Sequence, residues 1–203
     1  MIRFLIVILV MLAPVSAFAL DRILSDEEEL LIHQINAHNS DIKTMAGRFE
    51  QIDSNGGRTE GLFFIERPNK VRFRYGPPSH EEIVSEGRGF YIIDRVEKTK
   101  YAYPQDQIPL RQFLADDINL FEANIVDVVS STDYISVTIS DETPIGVVEV
   151  SLVFDIATKD IKQWTLIEPS GAQLTFAMSD VQTGVKIPKA YFRIDATYGP
   201  PER

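Results

Sequence analysis

Hydrophobic and polar residues alternate through most of this chain. In 70–75, Val71, Phe73 and Tyr75 point one way while Arg72 and Arg74 point the other, the period of a strand with one apolar and one wet face. The preceding 62–66 carries aromatic bulk on both faces. Arg67-Pro68-Asn69 separates the two, because proline has no N–H to give a ladder and holds its predecessor extended. The two-residue period recurs in 45–52, 58–67, 82–85, 89–94 and 99–103, and again in 125–129, 134–140, 147–155, 162–168 and 173–181. Asn55-Gly56-Gly57 and Glu86-Gly87-Arg88 read as tight turns, and connections this short exclude parallel crossovers. A last strand is expected around 192–194, ahead of a tail, 199–203, expected to fray.

Two segments break the period. Ser25-Asp26-Glu27-Glu28 is a capping-box pattern with acids in the first turn, so a helix should run to about His38, with Leu31 and Ile35 on one face and Asn39-Ser40-Asp41 ending it. Between the two runs of strands, Pro109 stands where a helix starts, and Leu110, Phe113 and Leu114 follow at helical spacing. Ile118, Leu120 and Phe121 mark a second short piece. About eleven antiparallel strands in one domain will curl, and two short helical segments are few to fill the inside of the curve. The pattern leaves two outcomes: a collapsed sandwich core, or an apolar cavity under a helical lid.

Composition narrows the setting. Arg3, the apolar run 4–12 and Ala17-Phe18-Ala19 have the form of a signal peptide, 1–19, cleaved after Ala19, with a single domain in 20–203. Cysteine is absent, which excludes disulfides, a thiol nucleophile, a thiolate metal site and an N-terminal lipid anchor. The net charge of −10 disfavours nucleic acid and anionic membrane surfaces as partners.

Chemistry-bearing motifs are missing. His33, His38 and His80 do not fall at metal-ligand spacing, and no nucleophile elbow, Walker loop or dinucleotide fingerprint occurs. Asp53-Ser54-Asn55-Gly56 faintly resembles a calcium loop, but Phe64 stands where a bidentate glutamate is needed. No cofactor, metal or catalytic residue is assigned, and the chain reads as a binding protein.

Several stretches recur in a telling order: Arg48-Phe49-Glu50-Gln51, then Glu60-Gly61-Leu62-Phe63-Phe64-Ile65-Glu66-Arg67-Pro68-Asn69-Lys70-Val71-Arg72-Phe73, then Ile83-Val84-Ser85-Glu86-Gly87, then Pro109-Leu110. Behind an N-terminal helix, this order resembles the periplasmic outer-membrane lipoprotein carrier (LolA) family over essentially the whole mature chain, most closely in 45–87. The resemblance implies a mainly β (α+β) fold: an incomplete antiparallel β-barrel of about eleven strands, with the N-terminal and inserted helices as a lid over an apolar cavity. It implies a periplasmic, monomeric carrier of the acyl chains of lipoproteins, loaded by an inner-membrane ABC-type release complex and unloaded to an outer-membrane acceptor. It places Arg67 as the residue that bonds to the lid and holds it closed. Parity from Pro68 puts Arg67 on the face of Phe63 and Ile65, an unusual place for a solvated cation. Phe49, Phe63, Ile65, Val71, Phe73 and Tyr75 are expected to line the cavity, with Leu110, Phe113 and Leu114 as lid residues. The family's frequent tryptophans are Phe73 and Tyr91 here, and Ile108 replaces a commoner threonine. The rivals are a lipid or glycolipid carrier, or a lipoprotein sensor, on the same scaffold, and a secreted enzyme on a β-scaffold.

Overall fold

The computed structural model describes residues 22–104, 108, 110–143 and 146–200. The leader 1–19 with its cleavage site, and Pro109, lie outside the described residues. Helix α1 (Asp26–Asp41) starts as its sequence dictates: the Ser25 Oγ accepts from the Glu28 N–H at 3.3 Å, and the Glu28 carboxylate accepts from the Ser25 N–H at 2.9 Å. It runs past His38, where the sequence led us to end it. Asn39 is fully buried and its Nδ2 donates to the Ile35 and Lys159 carbonyls, both at 2.9 Å, so a tertiary bond carries the helix through the expected stop. Its buried face holds Ile32 and Ile35 together with Asn36 and Asn39.

Strands β1 (Thr44–Asp53), β2 (Arg58–Glu66), β3 (Lys70–Tyr75), β4 (Glu81–Glu86), β5 (Gly89–Asp94) and β6 (Thr99–Pro104) form a first meander. β7 (Asn124–Ser130), β8 (Tyr134–Thr143), β9 (Gly146–Asp155), β10 (Ile161–Ile167) and β11 (Gln173–Thr183) form a second. Antiparallel pairing of β1 with β11 joins them into one eleven-stranded sheet, ordered β6-β5-β4-β3-β2-β1-β11-β10-β9-β8-β7. Its edges, β6 and β7, do not meet, so the barrel is incomplete. The inner face of both meanders shares one apolar core with α1.

Three expectations need correction. The insertion after β6 is not a pair of α-helices: 110–117 is a chain of turns, followed by a short 3-10 helix, Leu120–Glu122. The expected strand at 192–194 is replaced by a 3-10 helix, Lys189–Phe192, that packs against β3 and β4. The wet face of β3 is partly covered by it, because Arg72 donates to the Tyr191 carbonyl at 2.6 Å and Tyr191 stacks edge-on against Phe64 at 4.9 Å. Gly199, at the start of the tail, is held: it bridges to the β6 edge, where the Lys100 N–H donates to its carbonyl at 2.8 Å, while 201–203 lie outside the described residues.

Candidate functional site

The inner face collects every residue that the sequence nominated as lining. Phe49, Phe63, Ile65, Val71, Phe73 and Tyr75 are all at most 6% exposed and belong to a single buried cluster. The cross-strand register explains why. Phe63 stands opposite Phe73 and Ile65 opposite Val71 across β2 and β3, so alternation stacks them on the same side. Phe49 on β1 is the hub, with ring centroids 5.4 Å from Phe73, 5.1 Å from Tyr75 and 5.7 Å from Phe176 on β11. The Tyr75 hydroxyl donates to the Gln51 side-chain oxygen, and burial, with the Glu81 charge, raises its pKa. Trp164, without an assigned role in the sequence, stacks on Phe176 at 4.0 Å.

Leu110, Phe113 and Leu114 project from the insertion into this cluster and are also buried. Phe113 packs against Phe154 of β9 at 6.3 Å, so the insertion reaches the second meander. The Arg111 guanidinium grips Asp141 of β8 with two bonds, one of them 3.0 Å. The insertion's hold on the first meander runs through Arg67.

Arg67 is 5% exposed. Its Nε donates to the Phe113 carbonyl at 3.0 Å and its Nη1 to the Ile42 carbonyl just after α1, while its Cζ lies 4.6 Å from the centre of the Phe113 ring. One side chain thus ties the insertion, the end of the helix and the sheet together. The backbone on either side does the same: the Arg67 N–H donates to Lys43 and the Asn69 N–H to Leu114, at 2.8 and 2.9 Å. No carboxylate pairs with Arg67 among the described residues, and its Nη2 is buried without an acceptor. Burial pushes its pKa down to about 10, which leaves it charged at neutral pH.

The arrangement offers an oily interior closed by a segment whose own contacts with it are apolar, and a small number of hydrogen bonds at its rim. Of the two outcomes left open by the sequence, the structure shows the interior filled: these side chains pack on one another and on the insertion. The calcium-like turn has a local role instead: the Asp53 carboxylate accepts from the Asn55 and Gly57 N–H groups at 2.7 and 2.9 Å. Sequence reasoning missed Glu82, 1% exposed on the outer face. It accepts from Arg72 at 2.8 Å, with Arg74 at 3.2 Å and Arg95 at 3.5 Å. The available signal was Arg74, opposite it on β3, with Arg72 two residues away on the same face.

The family model described as outer membrane lipoprotein carrier protein LolA matches residues 40–195. The chain belongs to the LolA family. An outer-membrane lipoprotein carrier protein from Alkalilimnicola ehrlichii is 32% identical over 91 residues, which cover 42% of this chain and 38% of that protein. Among solved structures, a LolA-superfamily protein from Nitrosomonas europaea covers 80% of this chain and 97% of its own at 9% identity, with a TM-score of 0.43. An uncharacterized conserved protein from Thermus thermophilus covers 88% of this chain and all of its own (100%) at 7% identity, with a TM-score of 0.50. The Thermus likeness is one of fold alone.

Proposed function

We propose that this LolA-family protein is a periplasmic carrier that takes the acyl chains of lipoproteins from an inner-membrane ABC-type release complex and hands them to an outer-membrane acceptor. On this reading it is exported by the leader 1–19, cleaved after Ala19, and works as a monomer. The observation that carries it is the buried Arg67, which ties the insertion to the end of the helix over an apolar interior with bonds to two backbone carbonyls.

The energetics favour a closed carrier that opens on loading. A chain of about 16 carbons gains up to ~13 kcal/mol on leaving water, so cargo cannot be released to water and must pass from groove to groove. An empty open interior would expose Leu110, Phe113 and Leu114 along with the aromatic wall, so without cargo the insertion fills the space itself. Cargo replaces those apolar contacts with its own. What opening then costs is the set of rim bonds, about 1.5–3 kcal/mol for each bond from the charged Arg67. That cost is small enough for an acceptor to exploit.

Arg67→Leu removes the latch but keeps the apolar interior. We expect the variant to take up lipoprotein and to transfer it poorly, because the loaded open form is no longer raised in energy by lost latch bonds. Transfer of a triacylated lipoprotein to the acceptor measures this, and transfer at the unchanged rate would count against the latch.

A further inference from the structure

Arg67 has a donor that the closed lid does not use. Nε–H and the neighbouring Nη2–H leave the planar guanidinium in the same direction, the edge that grips a carboxylate or phosphate with two parallel bonds. In the closed protein that edge meets one neutral oxygen, the Phe113 carbonyl at 3.0 Å from Nε, and Nη2 is buried with no acceptor. The remaining partners of the cation are equally neutral: the Ile42 carbonyl and the face of the Phe113 ring. Nearby cations are compensated locally, Lys43 by Asp116 at 3.1 Å and Lys70 by Glu66. Among the described residues, Arg67 therefore stands as a buried positive charge without an anion, half of its fork empty, where the insertion meets the apolar interior. Burial of an unpaired charge is costly, and an incoming anion relieves it.

We propose that Arg67 anchors the acidic end of an amphiphile. When the insertion moves away, the Nε–Nη2 edge receives the carboxylate of a long-chain fatty acid or the phosphate of a phospholipid, while the acyl chain enters the interior. This rests on the acyl-carrier reading and adds to it a preference for anionic over neutral lipids. Anion and lid compete for Nε, since the Phe113 carbonyl must leave before the fork can close on an acid. An acidic amphiphile would thus favour the open form through its head as well as through its tail.

The test is displacement of a bound fluorescent acyl probe from the full chain by four ligands sharing a palmitoyl chain. They are palmitate, palmitoyl lysophosphatidylglycerol, methyl palmitate and monopalmitoylglycerol. The inference expects palmitate, the lysophospholipid or both to bind at least about tenfold more tightly than the neutral pair. Which of them does so identifies carboxylate or phosphate as the source of the anion. Arg67→Leu should abolish the preference while still binding the neutral ligands, and Arg67→Lys, which keeps the charge without the fork, should restore only part of it. Equal binding of all four by the unmodified chain would overturn the anion site and leave the acyl carrier standing. A preference that survives in Arg67→Leu would also overturn the site. Failure of every ligand to bind would overturn the acyl-carrier reading itself.

Discussion

Close approach at single residues decides how the aromatic wall is built. Phe49 stands opposite Gly61, and Gly47 opposite Phe63, across β1 and β2. A Cβ at Gly61 would lie 2.3 Å from the Arg74 carbonyl oxygen and 2.5 Å from the Phe49 ring, so that ring lies directly over bare backbone. Gly61→Ala should lower stability by about 1–3 kcal/mol, read from the urea midpoint at constant slope, because neither the neighbouring strand nor the packed ring can yield. On the outer face, Glu82→Leu should cost about 1–3 kcal/mol by the same measurement, since Arg72, Arg74 and Arg95 lose the buried carboxylate they share while each keeps access to water. Much of this scale was legible in the sequence. Parity from Pro68 placed Arg67 on the apolar side, and alternation placed Val71, Phe73 and Tyr75 together. The burial of Glu82 was less legible, because the arginines that gather on it come from two separate stretches of chain, Arg72 and Arg74 on β3 and Arg95 after β5.

Among the elements, α1 is the clearest case of local chemistry deciding structure. Its box should contribute about 1 kcal/mol, so Ser25→Ala should lower the thermal midpoint by a few degrees. Glu28 titrates below the usual carboxylate range, held there first by the Ser25 N–H against burial and then by Arg22. A depressed folded pKa means that its contribution is present above the ordinary glutamate value and is lost as the pH falls through the folded value. Glu28→Gln should therefore flatten that part of the acid limb in a stability-versus-pH series, whereas an unchanged limb would show that the box carries no weight. The insertion shows the opposite case, and its helical spacing misled. The carbonyls that an α-helix would direct to its own amides are taken elsewhere: Phe113 by Arg67, Leu114 by Asn69 and Asp116 by Lys43. Their partners lie at least forty residues away in sequence, so no local pattern could reveal that the segment closes with i→i+3 turns, such as Phe113 to Leu110, and leaves its carbonyls to the sheet and the helix end.

For the whole molecule, two meanders share one inner face through the β1–β11 pair, and the insertion that follows the first is anchored to both. The number and order of strands within each meander follow from alternation and turn signals. The joining of β1 to β11 does not, because such long-range pairing leaves no mark on either strand alone. The central claim is that this interior opens by displacement of the insertion when an acyl chain enters. The Asn69 N–H reports on that step directly, since it is protected by the Leu114 carbonyl of the insertion, 2.9 Å away. Hydrogen exchange at Asn69 should be followed with and without a saturating triacylated lipopeptide, using the Phe73 amide inside β3 as the fixed reference. The account predicts that loading speeds exchange at Asn69 at least about tenfold, in line with loss of the latch bonds, while Phe73 stays protected. Saturated binding with Asn69 as protected as before would mean that the lid does not move, and would contradict it.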